Sequence, residues 1–229
     1  MIKKILLFLI PFLITTFLVV GYFKLTQKIS TINIPSLPNI SFSDLVKVSR
    51  FSLSKAPSES LVGDITNMQG IVKFQDRVAT ESAILTSPIV DVQQGESFET
   101  GSNGSFGLAF PSLSDNPKAE ITVSPNTNLN IVQTLPADLV FSQTTGVAEY
   151  RKLADIPVTI RSLHLLIEDD GDITITLDDS APFVTVVVNS GSATVAYNNI
   201  SNISRVLTVN AGQKLTFNDH TRRVVIKNN

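Results

Sequence analysis

The chain has 229 residues, with 18 Lys and Arg, 20 Asp and Glu, three Tyr, no Trp and no Cys. The lack of cysteine excludes disulfides, thiolate metal sites and cysteine nucleophiles, and the scarcity of Trp and Tyr argues against a sugar cleft lined by aromatic rings. Beyond Lys24, fifteen basic residues stand against twenty acidic ones, so we expect a net charge near −5, no basic stripe and no nucleic-acid partner.

The first predicted element is a membrane-spanning helix over residues 5–23. These nineteen residues carry no charge, and fourteen of them are Leu, Ile, Phe or Val. As a helix they extend roughly 28 Å, which matches the hydrocarbon thickness of a bilayer. Lys3 and Lys4 resemble the basic start of a cleavable signal peptide, but the apolar run is longer and lacks a small-x-small cleavage site. We therefore predict an uncleaved signal-anchor, with a cleaved signal as the alternative.

The anchor divides the chain into a short stub and a long exterior part. Residues 1–4 are predicted to form a cytoplasmic stub and residues 24–60 an extended Ser/Pro-rich stalk, because Pro35, Pro38 and Pro57 keep that stretch solvated. Residues 61–229 are predicted to form an extracytoplasmic β domain. The predicted location is the cell membrane, single-pass, with the C-terminal domain in the periplasm or at the cell surface.

From residue 63 onward the chain is dominated by short runs that alternate apolar and polar residues. Such a period of two is typical of half-buried strands. Pairs such as Asp170-Gly171 and Ser190-Gly191 predict hairpin turns or bulges. The alternating runs are residues 71–75, 121–123, 128–133, 172–177, 184–188, 193–197, 205–209, 214–217 and 223–227. The fold class is therefore all-β: a β-solenoid-like roll is favoured by the recurring glycine before a strand, and a two-sheet sandwich is the alternative.

Residues 90–110 carry a family likeness. A glycine, a four-residue step, a Thr-Gly pair, a polar Gly/Ser turn and an apolar strand follow one another there, and a strand–Pro-Asn-Thr–strand element comes next. The positions involved are Gly70, Gly95, Thr100, Gly101, Gly104, Pro125, Asn126, Thr127 and Gly146. This pattern resembles FecR-type domains, clearly over residues 63–150 and weakly beyond, and the resemblance implies a fold without a catalytic residue.

The sequence also departs from that family in two places. Arg161 lacks the glycine and threonine that follow the arginine in many such domains. The ferric-citrate regulators of the family carry a cytoplasmic sigma-factor-binding domain, for which a stub of residues 1–4 leaves no room. The resemblance therefore does not imply that this chain controls a sigma factor directly.

Three features are candidates for chemistry. His164 and His220 lie far apart in sequence, without the serine and carboxylate pattern of a triad. The acidic run at residues 168–172 offers calcium-type ligands but lacks EF-hand spacing, and a solvated hairpin tip is the simpler interpretation. Ser105 is flanked by glycines but is one residue short of a nucleophile elbow. We therefore predict no catalytic, cofactor or metal residue.

These observations predict a non-enzymatic module for binding, sensing or envelope structure. Its expected partners are the membrane, through the anchor, and another protein of the bacterial cell envelope or a second copy, docking on strand edges. A cell-envelope hydrolase or a calcium-binding adhesion module is the alternative. No cofactor is expected.

Overall fold

A computed structural model describes residues 60–89, 91–111, 117–153, 156–178 and 180–229, all within the unit Phe51–Asn229. The predicted stub, anchor and stalk up to residue 59 lie outside these residues. Within the described ranges, no helix is long and apolar enough to cross a membrane.

The described residues form fourteen strands. In chain order they are β1 Asp64–Gln69, β2 Val72–Gln75, β3 Ala83–Ile84, β4 Ser97–Thr100, β5 Ser105–Phe110, β6 Ala119–Val123, β7 Asn128–Leu135, β8 Asp138–Lys152, β9 Val158–Ser162, β10 Leu165–Leu177, β11 Phe183–Asn198, β12 Ser204–Asn210, β13 Gln213–Asn218 and β14 Arg223–Asn228. The all-β prediction is confirmed.

All fourteen strands belong to one hydrogen-bonded sheet, and three long strands carry it from one layer into a second. The first half of β8 pairs with β7 and β9, whereas its second half pairs with β6 and β10. In the same way, β11 pairs with β13 along its first half and with β12 along its second. Layer A therefore runs β3-β2-β4-β7-β8-β9-β10-β11-β12, and layer B runs β1-β5-β6-β8-β10-β11-β13-β14.

The long strands bend where the chain has glycine. Gly146 in β8 and Gly191 in β11 have φ of 79° and 72°, a region that costs other residues about 1–2 kcal/mol. Gly171 in β10 lies directly opposite Gly191, and a side chain on either would contact the facing backbone. The two strands can approach this closely because both positions lack a side chain.

The core lies between the layers and is filled by the inward set of each strand. Aromatic rings meet across it: Phe98 of layer A lies 5.2 Å from Phe106 of layer B, and Tyr197 of layer A lies 5.4 Å from Phe217 of layer B, between ring centroids. Such tilted pairs contribute about 0.5–1.5 kcal/mol beyond the area they bury. Inward residues of β11 such as Val184, Val186 and Val188 are fully buried, as the alternation predicts.

The architecture combines features of both predicted alternatives. Two packed layers are typical of a sandwich, but one continuous sheet that bends through shared strands is closer to a roll. The stacked parallel coils of a solenoid do not occur in the described strands, since every pair except β8–β9 is antiparallel. The predicted hairpin tip at residues 168–172 is wrong, because this run lies inside β10. Ser190-Gly191, predicted to be a hairpin turn or a bulge, lies inside β11 next to a register shift opposite Asp172, as expected of a bulge.

Candidate functional site

Eight of the nine positions that carry the family likeness meet at one junction of four chain segments. The Thr127 amide donates to Thr100 Oγ1 (2.8 Å), and the Thr100 hydroxyl donates to the Ser124 carbonyl (2.7 Å). The Thr127 hydroxyl accepts from the Val147 amide (2.9 Å) and donates to the Val147 carbonyl (3.0 Å). These two buried threonines thereby fasten the strand ends around Thr100, Pro125 and Gly146 to one another.

The glycines of the junction are required by close backbone approach. A side chain on Gly104 would collide with the Ile71 carbonyl, and one on Gly70 would collide with the Asn103 carbonyl. Gly101 does not adopt a left-handed φ, and its amide donates to the Ile71 carbonyl at 2.8 Å. Asn126, with φ of 56°, supplies the turn after Pro125.

The ninth position, Gly95, lies apart from the junction. Its φ is 91°, a Cβ there would approach the Arg77 side chain, and its amide donates to the Ile131 carbonyl at 2.8 Å. The nine residues of the family likeness therefore hold chain segments together, and none of them has a titratable side chain.

The acidic side chains at residues 168–172 do not gather on one side, because successive residues of β10 face opposite sides of the sheet. Asp170 and Asp172 face outward, where Asp170 Oδ1 lies 2.7 Å from Lys152 Nζ and Asp172 Oδ2 lies 3.7 Å from Arg151 Nε. Asp169 faces inward and is 1% exposed. No group of three or more His, Cys, Asp or Glu among residues the structure describes is placed to hold a metal ion.

Asp169 is the most perturbed charged group on the inner face. Its Oδ1 accepts from the Gly171 amide at 2.9 Å, and its Oδ2 has no hydrogen-bond partner among the described atoms. Burial raises the pKa of Asp169 to about 7, against the lowering effects of the Gly171 amide and the Lys152 ammonium. In the sheet, Asp169 stands between Val158 and Ala193.

The histidines and Ser105 do not converge. His164 follows β9 in the turn to β10, where its Nδ1 lies 2.7 Å from Asp219 Oδ1. Ser105 begins β5 opposite Gln69. An open groove of about 550 Å³ lies next to the His164–Asp219 pair, between Leu163, Leu177 and the loop to β11. Asp178, on its wall, accepts two hydrogen bonds from Ser180, which lower the pKa of Asp178.

The two sheet edges formed by β1 and β3 are protected against pairing with another strand. β3, at one end of layer A, has only two residues, and very short edge strands resist the addition of another strand. β1, at the end of layer B, is covered by the segment around Val92: Gly63 and Val92 exchange two backbone hydrogen bonds, and the Ile65 amide donates to the Ile89 carbonyl at 2.9 Å.

The edges at the C-terminal side are open. β12 ends layer A with seven residues and β14 ends layer B with six, and each pairs with one strand only among the strands described. Large apolar side chains are exposed along or beside these edges, Val206 by 66% and Val225 by 51%. Sequence reasoning missed this surface because alternation marks a strand without telling which strands lie at the edge.

The open edges carry basic charge. Residues 204–229 hold five basic residues and one acidic residue, whereas residues 60–203 hold six basic and seventeen acidic ones. The C-terminal strands therefore differ in charge from the part of the chain beyond Lys24 as a whole, which is acidic. The five basic residues are Arg205, Lys214, Arg222, Arg223 and Lys227. None of them forms an ion pair with another described residue.

Comparison with known proteins adds little. No family model matches the chain, and no curated protein matches it. Two solved structures from Parabacteroides distasonis ATCC 8503, each described as a putative anti-sigma factor, are similar over part of their length. The first is 12% identical with a TM-score of 0.47, covering 58% of this chain and 59% of that one. The second is 13% identical with a TM-score of 0.43, covering 50% and 52%. Such partial likeness carries no argument about what this chain does, and the FecR-type assignment stays a prediction.

Proposed function

We propose that this protein is a membrane-anchored, extracytoplasmic β domain of the bacterial cell envelope that binds another protein and has no catalytic activity of its own. The observation that carries the proposal is the asymmetry of the sheet edges. Natural proteins cover, shorten or charge their edge strands because a free edge recruits other chains. Here β1 is covered and β3 is two residues long, while β12 and β14 are long, uncovered by described residues and partly apolar.

Sensing, or a structural link within the envelope, is the role that this arrangement supports. The uncharged segment at residues 5–23 supports attachment to the membrane. The junction of Thr100 and Thr127 supports a rigid scaffold, since buried hydrogen bonds tie its segments together. A rigid scaffold with one open side presents a binding strand at low entropic cost.

In-cell photo-crosslinking of the full chain tests this proposal. A photoreactive residue is placed at Val225 on β14 and, in a matched control, at Ile84 on the guarded strand β3, which is even more exposed at 63%. Adducts with a defined envelope protein are expected from position 225 and not from position 84. Equal labelling from both positions, or adducts with cytoplasmic proteins alone, would refute the proposal.

A further inference from the structure

Resting on the proposed function, we propose the chemistry of the partner: β14 accepts, as an added strand, an extended segment in which two acidic residues four positions apart enclose three apolar ones. A strand added to a free edge gains affinity from backbone hydrogen bonds and specificity from alternate side chains. Both contributions can be read from β14.

The backbone of β14 offers a regular set of bonding groups at its open edge. The Asn229 amide donates to the Gly212 carbonyl at 2.7 Å, and Gln213 lies opposite Asn228. In an antiparallel ladder this bond marks Gln213 and Asn228 as a pair without direct hydrogen bonds. Because the pattern alternates, the backbone groups of Val224, Ile226 and Asn228 point away from β13, toward the open edge.

The side chains of β14 divide into two sets. Val224 and Ile226 lie opposite the buried Phe217 and Leu215, so they face the core side of layer B. Arg223, Val225 and Lys227 face the outer side, with Val225 opposite Thr216. A neighbouring strand therefore meets apolar side chains on the inner face and a basic–apolar–basic series on the outer face.

The basic side chains of the outer series have no ion-pair partner among residues 60–229 as far as the structure describes them. Lys214 of β13 lies directly opposite Lys227, and like charges opposite each other in a sheet are destabilising. Neither lysine pairs with an acidic residue of the described chain. A carboxylate arriving beside Lys227 and another beside Arg223 would relieve this repulsion. Because Arg223 and Lys227 are four positions apart, the two acidic residues of the added strand must also be four positions apart, whether that strand runs parallel or antiparallel to β14.

A second copy of β14 is a poor occupant of the same edge. In the full-length antiparallel register, centred on Val225, Arg223 of one copy lies opposite Lys227 of the other. Direct opposition of like charges disfavours that pairing. The charges of β14 therefore disfavour pairing with a second copy in this register and favour pairing with an acidic strand.

The other open edge, β12, is less suited to an added strand than β14. Arg205 lies opposite Tyr197, whose ring packs on Phe217, so Arg205 stands on the inner face. An added strand would bury its guanidinium, and inward-pointing charges are a known protection of edge strands. β14 has apolar residues at the equivalent inner positions and is the edge that can accept a strand.

The test uses the full chain in a non-ionic detergent and fluorescent peptides read by anisotropy. The probe is Ser-Glu-Val-Val-Val-Glu-Ser, and its isomer Ser-Val-Glu-Val-Glu-Val-Ser has the same composition and charge with the acids two positions apart. We expect the probe to bind at least about tenfold more tightly than the isomer, and its binding to weaken with salt as surface charges are screened. The double variant R223E/K227E should lose the probe and bind the corresponding peptide with Lys in place of Glu.

Two further results decide the inference. Equal affinity for both isomers, or a probe affinity that R223E/K227E leaves unchanged, overturns it. Ile226→Pro removes a backbone donor at the open edge and leaves the bonds to β13, so it should abolish probe binding while circular dichroism still reports the folded sheet. If the probe fails while position 225 still forms adducts with an envelope protein in cells, the peptide chemistry is refuted and the proposed binding role stands.

Discussion

Replacing Asp169 by Asn should remove a large part of the pH dependence of folding. The carboxyl of Asp169 is buried on the inner face with one oxygen unpartnered among described atoms, and its pKa is raised to about 7. In the unfolded chain the pKa of Asp is about 3.9. Between these values the folded state binds more protons than the unfolded state. The contribution of protonated Asp169 to the free energy of unfolding is therefore fully present below about pH 4 and is lost as the pH rises through about 7.

The magnitude follows from the difference between the two pKa values. Each pKa unit corresponds to about 1.4 kcal/mol, so about three units give at most about 4 kcal/mol of stability lost between about pH 4 and pH 8. Asp170 and Asp172 add to the rise of the pKa, while the Gly171 amide and Lys152 oppose it. In the Asp169→Asn variant the side-chain amide retains an acceptor for the Gly171 amide and carries no charge, so the variant should lack this slope.

Urea unfolding of the fragment 58–229, followed by circular dichroism from pH 4 to pH 8, measures the effect. At pH 4 both side chains are neutral, and the two proteins should agree within about 1 kcal/mol, since each leaves one polar group without a partner. At pH 8 Asp169→Asn should be the more stable protein, by up to about 4 kcal/mol. Asp172→Asn, on the outer face of the same strand, is the matched control. Parallel pH profiles for Asp169→Asn and the natural chain would refute the reasoning.

Three other predictions concern the junction and the domain. Gly146→Ala should cost more than about 2 kcal/mol in urea unfolding, because φ is 79° and the new methyl meets Thr127 and Asn126. Gly212→Ala, with φ of 78° in open space, should cost only about 1 kcal/mol, and equal costs would contradict the role of crowding. Thr127→Val should cost about 1–3 kcal/mol by leaving the part-buried Val147 amide without its acceptor, which hydrogen exchange at that amide would detect. The fragment 58–229 should be soluble and give a β-type circular dichroism spectrum, and strong minima at about 208 and 222 nm would contradict the fold.

The positions of the strands were predictable where one face of the strand is buried and the other is exposed to solvent. The predicted runs at residues 172–177, 184–188 and 193–197 lie inside β10 and β11, where buried and exposed positions alternate. The connections were less predictable. Gly191 supplies a positive φ in either a turn or a bend, and only its pairing with Gly171, twenty residues earlier in the chain, makes it a bend.

The junction shows the same division between local and distant information. The sequence identified Thr100 and Thr127 through the family likeness, but their hydrogen bond joins residues 27 apart in the chain. Gly101 belongs to the Thr-Gly pair of that likeness, yet its φ is not left-handed, and what requires a glycine there is the close approach of Ile71. The close approach of a segment that is distant in sequence cannot be predicted from the residues next to the glycine.

Partner chemistry is where total composition misleads most. The chain beyond Lys24 is acidic as a whole, which by itself suggests a basic partner. The acids that form ion pairs, such as Glu99 with Lys73 and Asp172 with Arg151, are neutralised within the body of the sheet. No residue that the structure describes forms an ion pair with the cations of β13 and β14. Because surface charges are screened beyond about 8–10 Å, a strand docking on β14 responds to Arg223 and Lys227 and hardly at all to the acids elsewhere, so the edge selects an acidic partner on an acidic protein.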